Sequence, residues 1–451
     1  MERIKSASVA GMFYPVNKEE LLDTLKQFQE KNKKDYETTT RAIIVPHAGY
    51  FYSGQLASEG FQYLDKNVKN IFIIAPSHHV AVDNPVLSDY EHWQTPLGEI
   101  SINQKINKEL IDEFGCQYLN EAFEKEHAAE VQVPFIQFNY NDEVKIIPIL
   151  LNYHTNNKIT DIISKYYDNE ENAFIISSDL SHFHSDDEAK KIDNSTANMI
   201  EMMGVNGLTP HHACGSAGIC ALHNFAQTKD FSLIRIGMTN SSLVSGDKNR
   251  VVGYGAWLLY EGKSTEFVAQ NYKEFILETC RKSIKAGLEK QQITIGANIP
   301  PVFYQLGAAF VTLNINRHLR GCIGSIVAHQ PLIIDLAQHA YDAAFRDNRF
   351  RPLSIEEFDQ IDISVSLLSS PTKINFKNEQ DLLDKITPFE DGIIIKDDNH
   401  QAVYLPSVWE QIPNKVDFLN NLKIKAGLAP NHFSSSFEAF KYSTVYIKEQ
   451  E

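Results

Sequence analysis

Apolar positions in the first 260 residues gather into short β-branched runs: RAIIVP (41–46), IFIIAP (71–76), VKIIPILL (144–151), AFIISS (173–178), FSLIRIG (231–237) and VVGYGAWLLY (251–260). The first four do not alternate apolar with polar residues. That pattern predicts strands buried on both faces, as in a mainly parallel sheet covered by helices. Helix-like segments lie between them: EELLDTLKQFQEKNKK, GQLASEGFQYLDK, NQKINKELIDEFG and DEAKKIDNSTANMIEMMG. Strand and helix therefore alternate, and the region is expected to form an α/β domain.

Around EGKSTEF (261–267) the strand pattern stops and polar residues collect. The boundary is placed there, between a first domain over 1–262 and a second over 268–449. A chain of 451 residues exceeds what one hydrophobic core organises, which agrees with two domains. After the boundary come a helix over NYKEFILETCRKSIKAGLEK, the segment AAFVTLNINRHLRGCIG, the helical PLIIDLAQHAYDAAF and the strand DISVSLLSS. Their order predicts a separate α+β domain of ordinary size. The sequence shows no internal repeat and no low-complexity tract.

The chemistry sits just past the apolar runs. Parallel sheets bind ligands outside the carboxyl ends of their strands. RAIIVP is followed by His47, in PHAGYFYSG; IFIIAP is followed by Ser77, His78 and His79; AFIISS is followed by Asp179 and His182, in SSDLSHFH. Three strands thus deliver imidazoles or a carboxylate to one edge of the sheet. Imidazole is the commonest protein ligand for zinc, copper and iron, and Asp179 can complete a two-histidine-one-carboxylate face or orient a ligand. The bland reading of any one of them is a loop histidine satisfied by backbone carbonyls, but three at equivalent places favour a shared site.

Two further clusters are candidates. In EAFEKEHAAEVQVPFIQF, Glu126, His127 and Glu130 share one direction if the segment is helical, which puts Glu126 or His127 beside the cleft; the alternative is a solvated amphipathic face. In PHHACGSAGICAL, Cys214 stands at an apparent helix start, where backbone amides favour a thiolate, and His211 and His212 compete with it as ligands. Tyr50 and Tyr52 follow His47 closely and are expected to line the pocket.

Composition narrows the classes. The net charge of −16 argues against broad binding to nucleic acid or an anionic membrane. No apolar run approaches the length of a membrane span, and MERIKSASVAGMFYP lacks the apolar core of a secretion signal, so a cytoplasmic protein is expected. The five cysteines (Cys116, Cys214, Cys220, Cys280 and Cys322) are scattered, with no CxxC pair, and are expected to be free thiols.

Six motifs, VPHAGYFYSG, IAPSHHV, EHAAEVQVPFIQ, ISSDLSHF, ACGSAGI and SGDKNRVVGYGA, stand in the order found in Memo-family proteins, also called AmmeMemoRadiSam system protein B. Residues 1 to about 262 resemble that family, which in turn resembles class III extradiol dioxygenases. The resemblance implies a metal site at His47, His78 and Cys214, with Asp179 and His182 beside it, and iron or copper as the cofactor; in an oxidoreductase Asp179 and His182 are expected to act as acid and base. A cysteine in place of the dioxygenase glutamate is a departure that shifts preference toward Cu(I) or Zn(II) and leaves ring cleavage open.

The region from about 268 to 449 resembles the AMMECR-one domain, AmmeMemoRadiSam system protein A, through AAFVTLNINRHLRGCIGSI, AAFRDNRFRPLS and FLNNLKIKAGL. In RGCIG, Arg320 is placed to lower the pKa of Cys322, giving a nucleophilic or redox thiol; the plainer alternative is a strand turn with a packed cysteine. Arg346, Arg349 and Arg351 near Asp347 form an anion-binding lip or an ordinary solvated ion-pair loop. The chain therefore resembles a fusion of two partner proteins. The expected activity is a metal-dependent oxidoreductase acting on a small molecule or peptide not identified by the sequence. A non-catalytic adaptor that recruits a radical-SAM or other partner protein, and a zinc hydrolase, are the alternatives.

Overall fold

The structure, a computed structural model, describes residues 3–32, 37–152, 156–202, 204–292, 296 and 298–449. The chain divides into two compact units between Gly262 and Lys263.

Four parallel strands form the centre of the first unit, in the order Lys145–Leu151, Asn70–Pro76, Asn172–Ser177 and Ala42–Val45. These are the runs without alternation, and the absence of alternation has the expected cause: Ile43, Ile44, Phe72, Ile73, Ile175 and Ile176 are all buried, so neither sheet face meets water. In register, Ile44 lies beside Ile176, and Ile176 beside Ile74. This alignment brings the carboxyl ends of the three strands to one edge.

The sheet is mixed rather than mainly parallel. Val251–Tyr260 runs antiparallel to Ala42–Val45, and Ser232–Asn240 antiparallel to Val251–Tyr260. On the opposite flank a hairpin of His92–Thr95 and Gly98–Ile102 adds two strands that the sequence reading did not assign. Its signal is alternation: Trp93 and Thr95, then Ile100 and Ile102, are buried around a turn closed by Gly98 at φ +130°.

Helices Ser216–Lys229 and Asn156–Tyr167 bury Ile219, Leu222, Phe225, Ile159, Ile162 and Ile163 in one core with Phe72, Ile74 and Phe174. Each such side chain contributes roughly 1.5–3 kcal/mol through its burial. Lys18–Lys31 starts at Asn17, whose side chain accepts the Glu20 amide, and buries Leu21 and Leu25. Among the described residues no helix is long and apolar enough to cross a membrane.

The second unit is α+β. Leu306–Ile315 pairs antiparallel with His318–Gly324 and with Ile361–Leu368, which pairs onward with Thr444–Lys448. A separate sheet joins Thr372–Lys373, Glu438–Tyr442, Gly392–Asp397 and His400–Tyr404. The expected strand DISVSLLSS is Ile361–Leu368 and alternates over most of its length, with Ile361, Ile363, Val365 and Leu367 buried and Asp362, Ser364 and Ser366 half-buried. Helix Ser264–Leu288 begins earlier than the sequence reading placed it, with a non-helical residue at Tyr272.

Candidate metal centre

His47 leaves the Ala42–Val45 strand two residues past its end and is buried. Its amide donates to Asp179 Oδ1 at 2.8 Å, and its ring Nδ1 lies 3.0 Å from Ser177 Oγ. Ser177 Oγ also donates to the Ala128 carbonyl at 2.6 Å and accepts from Gln132 Nε2 at 2.9 Å. A hydroxyl has one proton, and the Ala128 carbonyl takes it, so Nδ1 of His47 must be the donor to Ser177. The remaining nitrogen, Nε2, therefore carries its lone pair outward.

His78 follows the Asn70–Pro76 strand. Glu126 accepts its amide at 2.6 Å and its Nδ1 at 2.9 Å, and also accepts the Ala128 amide at 2.9 Å. A carboxylate fixing the Nδ1–H tautomer and freeing Nε2 is the usual support of a metal-ligating imidazole. His127 opens the short helix His127–Glu130, its Nδ1 3.5 Å from Glu126 Oε1 and its ring stacked on Phe13 with centroids 4.5 Å apart.

His47, His78 and His127 each offer a ligand nitrogen within 4.8 Å of the other two, the set of three that meets this spacing among the described residues. Burial, and then the neighbouring His78, push His47 down to about 3. Burial, and then His47, push His127 down to about 4. Both imidazoles are therefore neutral at pH 7, as ligation requires. Glu126 is pushed up by burial, but the hydrogen bond and charge of His78 outweigh this and hold its carboxyl at about 2.

Cys214 Sγ lies 3.2 Å from His47 Nε2 and 3.6 Å from the Asp179 carbonyl. It precedes helix Ser216–Lys229, and Gly215 permits the approach, since a Cβ there would meet the Ser177 carbonyl oxygen at 2.6 Å. The helix-start amide of Gly215 does favour a thiolate as expected, but burial, and then the charge of Asp179, outweigh it and push the thiol well above its ordinary value. Burial likewise raises Asp179, which acts electrostatically with His182, His127 and His78.

Other expected residues disperse. Glu130 does not share the direction of Glu126; it turns to the buried Lys5 ammonium at 2.6 Å, the amides of Ser8 and Val9, and the Tyr14 hydroxyl. Tyr50 is a core residue whose hydroxyl donates to the Val131 carbonyl, while Tyr52 is 41% exposed. His79 is exposed. His211 faces His184, with ring centroids 5.3 Å apart, and His212 Nδ1 bonds Thr209. Ser177 and Gln132 were not anticipated; the visible signal was a serine closing a buried apolar strand.

In the second unit Arg320 does not serve Cys322: its guanidinium pairs with Glu357 through Nε at 2.9 Å and Nη2 at 3.0 Å. The cation at the cysteine is Arg349, whose Nη2 reaches the Cys322 carbonyl at 3.2 Å while the same side chain holds Asp347. Asp347 Oδ2 accepts the Cys322 amide, and Thr312 Oγ1 donates to its sulfur at 3.2 Å. Arg346 pairs with Asp342, and the carbonyl of Arg351 accepts from Arg320. The FRDNRFRP segment thus spends Arg346 and Arg349 on internal carboxylates.

The protein is a mixed α/β domain with a cluster of three histidines past its parallel strand ends, followed by an α+β domain. The profile of Memo-like proteins matches residues 5–258, and that of AMMECR1 matches 277–447. The chain belongs to the Memo family and carries an AMMECR1 domain in the same polypeptide. A MEMO1 family protein of Methanosarcina barkeri is 30% identical over 273 residues, which span 56% of this chain and 98% of the relative. One from Aquifex aeolicus is 30% identical over 276 residues, spanning 56% of this chain and 97% of that protein. The crystal structure of an uncharacterized protein from Pyrococcus horikoshii is 28% identical, covers 40% of this chain and 91% of its own, and superposes with a TM-score of 0.37.

Proposed function

We propose that the Memo domain is a metal-dependent redox module in which His47, His78 and His127 hold one iron or copper ion and Cys214 is placed to join them. The observation that carries this reading is the mutual 4.8 Å spacing of three imidazoles, two of which have Nδ1 committed to supporting acceptors. The donor set fits the group: neutral imidazoles suit iron, copper and zinc, and a neighbouring thiol favours the softer Cu(I) or Zn(II). When bound, iron or copper supplies one-electron redox chemistry that no side chain here possesses.

The chain's own residues do the rest. Ser177 and Glu126 hold the ring tautomers. Asp179 fixes the His47 backbone through Oδ1 and, with its acidity weakened by burial, is suited to hold a proton within the electrostatic reach of His182. The pair is thereby a proton donor and acceptor next to the ligands. Asp179→Asn is expected to keep the metal content of the wild type while changing the rate of dioxygen consumption by iron- or copper-loaded protein. An unchanged rate would remove Asp179 from the chemistry.

A further inference from the structure

Phe183 stands between two histidines with φ at 64°, a left-handed conformation unfavourable for a bulky side chain. The strain secures no burial, since the ring is 60% exposed. Its origin is a β-bulge: His182 pairs with Val252 and His184 with the adjacent Val251, leaving Phe183 unpaired. The bulge separates the two histidines. His182 acts on Asp179 and His47, whereas His184 approaches Glu188 at 3.4 Å and the ring of His211. Phe183 is left at the lip, its ring centroid 5.7 Å from that of His182.

Arg250, immediately before the Val251–Tyr260 strand, covers this ring with its guanidinium carbon 4.4 Å from the centroid. Arg250 is exposed and has no carboxylate partner among the described residues. The three other arginines of the unit are engaged: Arg3 with Asp89, Arg41 with Glu261 and Arg235 with Glu201. In a chain of net charge −16, an arginine without an acid, stacked on a strained aromatic beside the histidine centre, is poised for an anion from outside. A guanidinium held over the ring by this contact can still offer its N–H donors to a carboxylate, which its fork of donors matches. The uncovered surface of Phe183 suits an apolar body.

We propose that Arg250 and Phe183 form a recognition site at the lip of the histidine centre for a small amphipathic carboxylate, its carboxylate paired with Arg250 and its apolar body against Phe183. This assigns a substrate class to the centre and rests on that centre being the reaction site, although binding at the lip does not itself require the metal.

The test is calorimetric titration of the full chain with 3-phenylpropionate, 3-phenylpropanamide and propionate, beside a separate titration with zinc(II) alone. Wild type is expected to bind 3-phenylpropionate at least about tenfold more tightly than the amide or the bare acid, in line with a charge-assisted pair and a desolvated apolar contact. Arg250→Gln should erase the preference over the amide, and Phe183→Leu the preference over propionate, while Phe183→Tyr keeps it and all variants take up zinc(II) as wild type does. Wild type without these preferences, or variants that retain them, would overturn the proposal. Preferences as expected in a protein that takes up no zinc(II) would support the lip site and overturn the metal reading alone.

Discussion

Ser177 dictates which nitrogen of His47 faces the centre. Because its hydroxyl proton is given to Ala128 and its lone pairs face Gln132 and His47, the imidazole must present Nδ1–H to the serine and an unprotonated Nε2 to the centre. Ser177→Ala removes that bias without removing a ligand. Zinc(II) affinity, followed by competition with a chromophoric chelator, is expected to fall about tenfold with one site per chain retained, since supporting partners of ligating histidines typically contribute 10–100-fold.

Glu126 performs a similar task for His78 with two oxygens. One oxygen accepts the His78 amide, and the other accepts both the ring Nδ1–H and the Ala128 amide. Glutamine has one acceptor oxygen, so Glu126→Gln must abandon part of this set and set an NH₂ against a donor. Metal affinity is expected to drop roughly 10–100-fold. The carboxyl is held at about 2 in the fold, below its ordinary value of 4.5. Its stabilising contribution is therefore complete above pH 4.5 and lost as pH falls through about 2. The variant should lack that acid-dependent loss in a chemical-denaturation series.

His223 is a liability. It is 3% exposed within helix Ser216–Lys229, and neither ring nitrogen has a hydrogen-bond partner among the described residues. Burial alone pushes it from 6.5 down to about 4. The unfolded chain thus takes up a proton near pH 6.5 that the folded chain refuses until about pH 4, so stability falls as pH drops through that window. His223→Leu should raise stability by about 1 kcal/mol at pH 7.5 by removing a buried unpaired polar ring. Thermal melts should show a larger gain at pH 5. An equal gain at both values would mean that the ring is not excluded from protonation.

Cys322 and Cys280 provide an internal comparison in the AMMECR1 domain. Cys280 is fully buried and pushed up to about 12, by burial and then by Glu449. Cys322 is partly exposed, with Arg349 at its carbonyl and Thr312 at its sulfur. A maleimide probe at pH 7.5 is expected to modify Cys322 at least about 100-fold faster, because Cys322 is accessible whereas burial both shields Cys280 and suppresses its thiolate. Comparable rates, resolved by peptide mapping, would leave Cys322 as a packed residue only.

The sequence made the sheet centre legible because unbroken apolar runs have few other uses, and the chemistry past each run follows from strand polarity. His47, His78, Asp179 and His182 are legible that way as residues that follow buried strands. The edges were harder. Antiparallel pairing of Val251–Tyr260 depends on long-range contacts, and the alternating His92–Ile102 hairpin is too short to stand out. Glu126 and Glu130 were read as sharing a helix face, but the helix is one turn long and Glu126 caps it from outside. Cys214 looked activated because a helix start was visible, whereas the burial and the carboxylate that oppose ionisation come from residues distant in sequence. Arg320 was paired with Cys322 by proximity along the strand; its actual partner, Glu357, lies 37 residues away. Phe183 carries no sequence signal, since its conformation arises from a bulge set by pairing with Val251 and Val252.

The most direct measurement is elemental analysis of anaerobically purified full-length protein, comparing wild type with His47→Ala, His78→Ala and Cys214→Ser, each checked for native circular dichroism. We expect close to one iron or copper per chain in wild type, none in either histidine variant, and retained binding with a shift from copper toward iron or zinc in Cys214→Ser, as expected when a soft donor is lost. Equal metal content in wild type and both histidine variants would contradict the account.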